Sequence, residues 1–503
     1  MIRERIFFLW LALAVGGPSC AEVKLPALIG DSMVLQSGTP VRIWGKADPG
    51  ERVAVKFQSE SASAVAGPDG KWAVYLKPMR PGGPFDMTIS GKNTITLRDV
   101  LIGEVWVGSG QSNMAWTLGQ AKDAEQEVAQ ANHPRIRLFN VKRVVADAPA
   151  EDVEGSWQVC TPDSAKGTSA VGYFFSRHLH QKLGVPVGFI HSSWGGTPAQ
   201  SWTSKPALES EPALKFILDD WQKTLEGYPA AKERYDKQLA AWKEAAAKAK
   251  ASGQTPPQAP RPPAGPGHQN TPAGLYNAMI APLTPYAIRG VIWYQGESNA
   301  NERHAFAYRR LFRLMIEDWR RAWGQGSFPF LFVQLANFMA NPWWPLLRES
   351  QNDALELRNT GMAVIIDIGE SKDIHPRNKQ DVGLRLGLAA RAIAYGEKLV
   401  YSGPMYRQVT AEGNRLRLWF DFTGSGLEAR GGPLKGFVIA GPDGNFVPAE
   451  ARIDGETVVV SSPSVANPVA VRYAWEDDPV CNLYNKEGLP ASPFRTDSGK
   501  TTY

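Results

Sequence analysis

The chain has 503 residues, with 55 Lys and Arg against 50 Asp and Glu, a formal net charge of +5, and 43% hydrophobic residues. So small a charge excess excludes an obligate nucleic-acid binder, and so large an apolar fraction excludes a disordered polymer. Three cysteines can neither staple a disulfide scaffold nor supply a four-thiolate zinc site.

Residues Met1–Ala21 read as a secretory signal. Arg3 and Arg5 form a charged start, Ile6 to Val15 an apolar run, and Ser19-Cys20-Ala21 a small-residue cleavage site. The expected destination is secreted or periplasmic. A lipoprotein anchor at Cys20 is disfavoured, because Gly17 stands where such a box usually has Leu. No other apolar run is long enough to predict a membrane span. Cys160 and Cys481 then remain, and nothing in their positions says whether they pair.

From 22 to 99 the chain reads as short strands and turns, a small β-sandwich. Val41–Trp44, Val53–Phe57 and Trp72–Leu76 are its clearest strands, and Pro68-Asp69-Gly70 is a turn signal. From 100 to 399 the pattern is α/β. Apolar runs at Glu104–Gly108, Ile136–Val141, Val185–His191, Ile288–Tyr294, Phe330–Leu335 and Ala363–Ile368 alternate with amphipathic helices at Gly172–Leu183, Ala305–Trp323 and Asp381–Tyr395. This predicts a parallel sheet wrapped by helices. A charged helical and Pro-rich insertion interrupts it at about 205–268, its end a stiff linker from Thr255 to Gly267. From 400 to 503 the chain is β-rich again, with strands at Arg415–Phe420, Gly436–Ala440, Thr457–Val460 and Val469–Tyr473.

In a parallel sheet, ligands bind beyond the carboxyl ends of the strands, so the loops after each run are the informative ones. The first reads Ser109-Gly110-Gln111-Ser112-Asn113-Met114. A serine just past a strand and before a helical segment is exposed and close to backbone N–H groups, as a nucleophile requires, although a helix cap has the same pattern. The second loop carries Gly195-Gly196, the third Gln295-Gly296-Glu297-Ser298-Asn299, and the fourth Asp373-Ile374-His375-Pro376. Among the histidines, His178 and His180 lie on a helix, His133 and His268 sit at turns, His304 opens a helix and His191 ends a strand. Only His375 has a carboxylate two residues away inside a strand-end loop. Gly30-Asp31-Ser32-Met33 imitates a nucleophile box, but no helix follows it and no histidine is near in sequence.

These loops resemble those of the sialate O-acetylesterase family, serine carbohydrate esterases of SGNH-hydrolase type. The matching stretches are Gly103–Met114, Gly195–Trp202, Trp293–Asn299 and Asp373–Lys379, with Ser32–Gln36 and Asn482–Phe494 beyond them and the helical insertion outside. The resemblance implies an SGNH, flavodoxin-like three-layer core with accessory β-sandwich domains. It implies Ser112 as nucleophile, His375 as general base and Asp373 as orienting acid, with Asp367 and Glu370 as alternative orienters. The expected oxyanion hole combines the N–H groups of Ser112 and Gly196 with the side-chain amide of Gln295. Gln111, Asn113, Glu297, Asn299, Arg348 and Gln351 are candidates for substrate binding, with Arg348 or Arg377 facing a sialic acid carboxylate. Trp116, Trp202 and Trp343 are candidates to stack on sugar. The expected partner is an acetylated sugar, of sialic acid or of a plant polysaccharide such as xylan. No cofactor or metal is expected, because no HExxH or CxxC occurs. A non-catalytic glycan-binding protein with an esterase-like cleft is the alternative of a different class.

Overall fold

In the computed structural model, which describes residues 22–497, the apolar runs of the middle region assemble into one sheet. The expected signal, Met1–Ala21, lies outside the described residues. The strands are β1 (Thr94–Gly110), β2 (His133–Asn140), β3 (Trp157–Cys160), β4 (Val187–Ser193), β5 (Gly290–Tyr294), β6 (Phe330–Val333) and β7 (Thr360–Ala363). Their spatial order is β7-β6-β5-β1-β4-β2-β3. Neighbours are parallel except β2 and β3.

Near-continuous apolar strands need cover on both faces. The register sets Trp106 beside Phe189 and Trp293 beside Ser109, so by alternation the Trp106 and Trp293 rings stand on opposite faces. Helix α1 (Ser112–Ala115) is one turn after β1, and α2 (Ala170–Leu183) covers the Trp106 face. Phe175 meets Trp106 edge-on at 5.0 Å. Helix α3 (Lys215–Ala251) belongs to the insertion, and α4 (His304–Trp323) covers the other face. Phe312 and Trp319 of α4 lie 6.3 and 5.8 Å from the Trp293 ring. Its buried residues Leu311, Phe312, Met315, Ile316 and Trp319 recur at helical spacing. Helices α5 (Trp344–Asn352) and α6 (Lys379–Ile393) complete the layers.

After β4 joins one side of β1, the chain crosses to the other side with β5. Such a reversal of strand order beside β1 marks its carboxyl end as the place where doubly wound sheets take ligands. The run expected as a strand over Ala363–Ile368 lies earlier, at Thr360–Ala363. The carbonyl of Val364 accepts from the Arg385 guanidinium at 2.6 Å instead of from a neighbouring strand.

β1 spans 17 residues, and its first half pairs antiparallel with Gly82–Ser90. The boundary expected between 99 and 100 therefore falls inside one strand, and the leading region shares one hydrophobic cluster with the sheet. The Gly30–Met33 box has a structural use. Ser32 Oγ donates to Asp99 Oδ2 at 3.0 Å, and Asp99 pairs with the buried Arg137. The C-terminal strands build a separate cluster. In the insertion, α3 has 37 residues and runs across Pro229, with Ile217 as its buried residue. Cys160 and Cys481 are both free. No described helix is long and apolar enough to cross a membrane.

Candidate active site

At the end of β1 the chain turns through Gly110, whose φ of +136° a side chain rarely adopts, and Ser112 opens α1. Being the first residue of a helix, Ser112 has no intrahelical partner for its N–H. Among the described residues that group donates to nothing, and neither do the N–H groups of Gly195 and Gly196. A Cβ on Gly195 would stand 3.2 Å from Ser112 Cβ, tighter than side chains usually pack, so glycine favours the close approach of this loop. Gly196 turns at φ +74°. The loop is held from outside by Gln269, whose Nε2 donates to Gly195 O at 3.0 Å. Sequence alone offered no signal for Gln269.

The histidine loop is fastened directly to α1. Asn113 Nδ2 donates to the carbonyl of Ile374 at 2.9 Å, tying the residue after Ser112 to the residue before His375. The Trp116 ring lies flat on the His375 ring, 4.8 Å between centroids and 15° between planes. Trp116 is thus engaged with the histidine. Asp373 Oδ1 accepts the His375 backbone N–H at 2.9 Å and stands 3.6 Å from Nδ1, an ion-pair distance longer than a hydrogen bond. Asp367 and Glu370 do not replace it. Asp367 is held by Arg385 at 2.6 and 2.8 Å, and Glu370 accepts the Arg377 N–H at 2.9 Å. Burial holds the His375 imidazole below its ordinary value, with Asp373 acting upward and Lys379 further downward.

Behind Ser112 lies a buried polar cluster. Asn113 Nδ2 also donates to Glu297 Oε1 at 2.5 Å, and Lys379 Nζ donates to Asn113 Oδ1 at 2.5 Å. Lys379 is fully buried, and burial pushes its ammonium down to about 7 against the upward pull of Glu297, Glu370 and Asp373. Burial raises the Glu297 carboxyl, and its Oε2 has no partner among the described residues. Asn113 and Glu297, expected to meet substrate, instead bind the Ser112 turn to the loop after β5 and to the His375 loop. Lys379 stood inside a recognised motif, but nothing in its neighbours announced its burial.

Four further expectations change for one reason, that the side chains are already engaged. Gln295 Nε2 donates to Thr197 O at 3.3 Å and Asn299 Oδ1 at 2.7 Å, so both its N–H groups are occupied and it offers no oxyanion donor. Asn299 is fully buried, with Oδ1 accepting from Ala199 N and Nδ2 donating to Gln200. Arg348 is fully buried and donates to the carbonyls of Leu335, Ala336, Glu476 and Asp477, clamping the C-terminal region to the sheet instead of facing a carboxylate. Gln351 is committed to the carbonyls of Gln295 and Val333 and to the N–H of Leu335. Gln111 Oε1 accepts from Ser298 N at 3.1 Å, joining the first loop to the third. Trp202 is buried in the core, and Trp343 is half-buried against it. His191, fully enclosed between Asn140 and Ser193, is held down to about 3 by burial. Arg377 is exposed beside His375. Among the described residues, no group of His, Cys, Asp or Glu side chains is placed to hold a metal ion.

A family model described as carbohydrate esterase, sialic acid-specific acetylesterase matches residues 102–253 and 267–394. Its match includes α3, so the part of the insertion left outside is the Pro-rich segment and not, as expected, the helix. The sialate O-acetylesterase of Mus musculus is 32% identical over 526 residues, covering 94% of each chain. That of Homo sapiens is 31% identical over 524 residues, covering 94% of this chain and 92% of its own. The crystal structure of a carbohydrate acetylesterase from Xanthomonas citri superposes with a TM-score of 0.81 at 41% identity, covering 95% of this chain and all of the other.

Proposed function

The chain belongs to the sialic acid-specific acetylesterase family of carbohydrate esterases, and from that premise we propose an acetyl-enzyme mechanism carried by Ser112, His375 and Asp373 on an SGNH-type core. The protein is a carbohydrate O-acetylesterase. His375 Nε2, the nitrogen away from Asp373, takes the proton of Ser112 Oγ as Oγ attacks the acetyl carbonyl. The bond to the sugar oxygen breaks and His375 returns that proton to the leaving alcohol. Water, deprotonated by His375, then releases acetate and restores the serine. Asp373 holds the ring through Nδ1, and the 3.6 Å separation closes to a hydrogen bond when the imidazolium forms. The oxyanion is received by the N–H groups of Ser112 and Gly196, each such donor lowering the barrier by ~3 kcal/mol.

The observation that carries this reading is the Asn113–Ile374 hydrogen bond, which joins the serine turn to the histidine loop beside glycine N–H groups that bond to nothing else. Ser112→Ala, assayed on p-nitrophenyl acetate and by acetate release from acetylated sugars, is expected to lose roughly 10⁴-fold or more of kcat with its circular dichroism unchanged. Turnover near that of the parent protein would overturn the assignment. Export through Met1–Ala21 is part of the same proposal. N-terminal sequencing of the exported protein is expected to start at Glu22, and retention of residue 1 would overturn it.

A further inference from the structure

We propose that the insertion and the catalytic loops together form a subsite for the sugar ring adjoining the acetylated one, in a neutral glycan. This rests on the acetylesterase reading above. The site is a cleft of about 270 Å³ walled on one side by Trp221, Thr224, Ala264 and Asn270 of the insertion and its return. Gln200 and Ser298, from the loops after β4 and β5, form the other side. At that volume it falls just under the ~300–1,000 Å³ of pockets that take drug-sized ligands, room for one ring.

The walls of the cleft are tied by hydrogen bonds to the loops that carry Ser112 and Gly195. Ser298 N–H holds Gln111, the neighbour of Ser112, and Gln269, the neighbour of Asn270, holds Gly195. The Pro-rich segment keeps the outer wall in place. Trp242 Nε1 donates to Pro257 O at 2.7 Å, and the Tyr228 ring occupies the space where a Cβ on Gly265 would stand, 2.2 Å away.

The lining chemistry matches a sugar, which presents an apolar C–H face and a rim of hydroxyls. Trp221 is half-buried and offers an aromatic face. Asn270 also lines the cleft, and its Oδ1, buried beneath the lining, accepts no hydrogen bond among the described residues. His304 also lines the cleft; its Nδ1 lies 2.9 Å from Asn301 Oδ1, and burial keeps the ring toward its neutral form. No lysine or arginine lines the cleft, and its carboxylate, Asp220, is paired with Arg303. Lys223 also reaches Asp220 from outside the lining, at 3.6 Å; no lining residue supplies a cation for the carboxylate of a sialic acid, and a neutral pyranose requires none.

The test uses Trp221→Ala, which removes the aromatic face, and Thr224→Trp, which fills the cleft, in the intact protein. Each is assayed on p-nitrophenyl acetate, on partly acetylated xylo-oligosaccharides and on an O-acetylated sialic acid. The expected result is a KM for the xylo-oligosaccharides raised about tenfold in both variants, with kcat/KM on p-nitrophenyl acetate within about twofold of the parent. An unchanged KM in both variants, an equal loss on the small ester, or a loss confined to the sialic acid substrate would each overturn the subsite. Turnover of p-nitrophenyl acetate by Ser112→Ala would instead overturn the catalytic reading beneath it.

Discussion

Two sides of Ser112 differ in kind. Behind it, buried Asn113 and Lys379 and half-buried Glu297 are joined through Asn113, which bonds at once to a carboxyl, an ammonium and a backbone carbonyl. On its other side, the cleft under α3 is open, with a half-buried tryptophan in its wall. Groups on the dry side cannot exchange a lost partner for water, so each one fixes geometry and its removal is costly. Groups on the open side can be resolvated, and what they contribute is felt only by a substrate large enough to reach them.

The largest effect that sharpens this contrast, after loss of the nucleophile itself, is expected for Asn113→Ala. It strands Lys379 and Glu297 in the interior and unties the serine turn from the histidine loop. Urea unfolding is expected to show a loss of about 3 kcal/mol, together with a fall in kcat of roughly 10²-fold on p-nitrophenyl acetate as well as on sugars. A stable variant with normal kcat would break the contrast.

Asp373→Asn is expected to lower kcat by about 10²-fold, less than the ~10⁴ seen where such an acid is buried against its histidine, because Asp373 is partly exposed and 3.6 Å away. Its pH profile gives a second reading. His375 acts as a base only when neutral, and its lowered value keeps it neutral to more acid pH than a free imidazole, so the acid limb of kcat/KM lies below 6.5. Asp373 raises that value and Lys379 lowers it. The limb is therefore expected to move to lower pH in Asp373→Asn and to higher pH in Lys379→Met. Movement of both in one direction would show that these charges do not act through His375.

The smallest effect belongs to the far side of the insertion. Trp242→Ala, which releases the Pro-rich return from α3, is expected to leave turnover of p-nitrophenyl acetate unchanged while speeding limited proteolysis between 251 and 267. A fall in small-ester turnover would mean that the open side governs the chemistry after all.

Much of this was legible in the residues. Apolar runs at Val291–Trp293 and Phe330–Val333 could only be strands covered on both faces, and the positions of Ser112, Gly195, Gly196 and His375 after such runs followed from that. The partners of polar side chains were not legible. Gln295 follows a strand, and Arg348 and Gln351 are polar residues of α5, but their hydrogen bonds to Thr197, Glu476 and Gln295 join segments far apart in the chain. The decoy serine at position 32 was separable by its setting, yet its bond to Asp99 was not foreseeable.

What the sequence determined by itself is the alternation of strand and helix and the residue types at the strand ends, because periodicity and turn chemistry act over a few residues. What only the tertiary structure decided is which of those residues face the crevice and which are closed inside. That depends on long-range pairing, such as Asn113 with Ile374 and Lys379 or Gln269 with Gly195. The opening inventory of three cysteines and a charge of +5 excluded whole classes. The burial of one lysine and the fold-back of one proline-rich segment separated the scaffold from the surface proposed to meet the substrate.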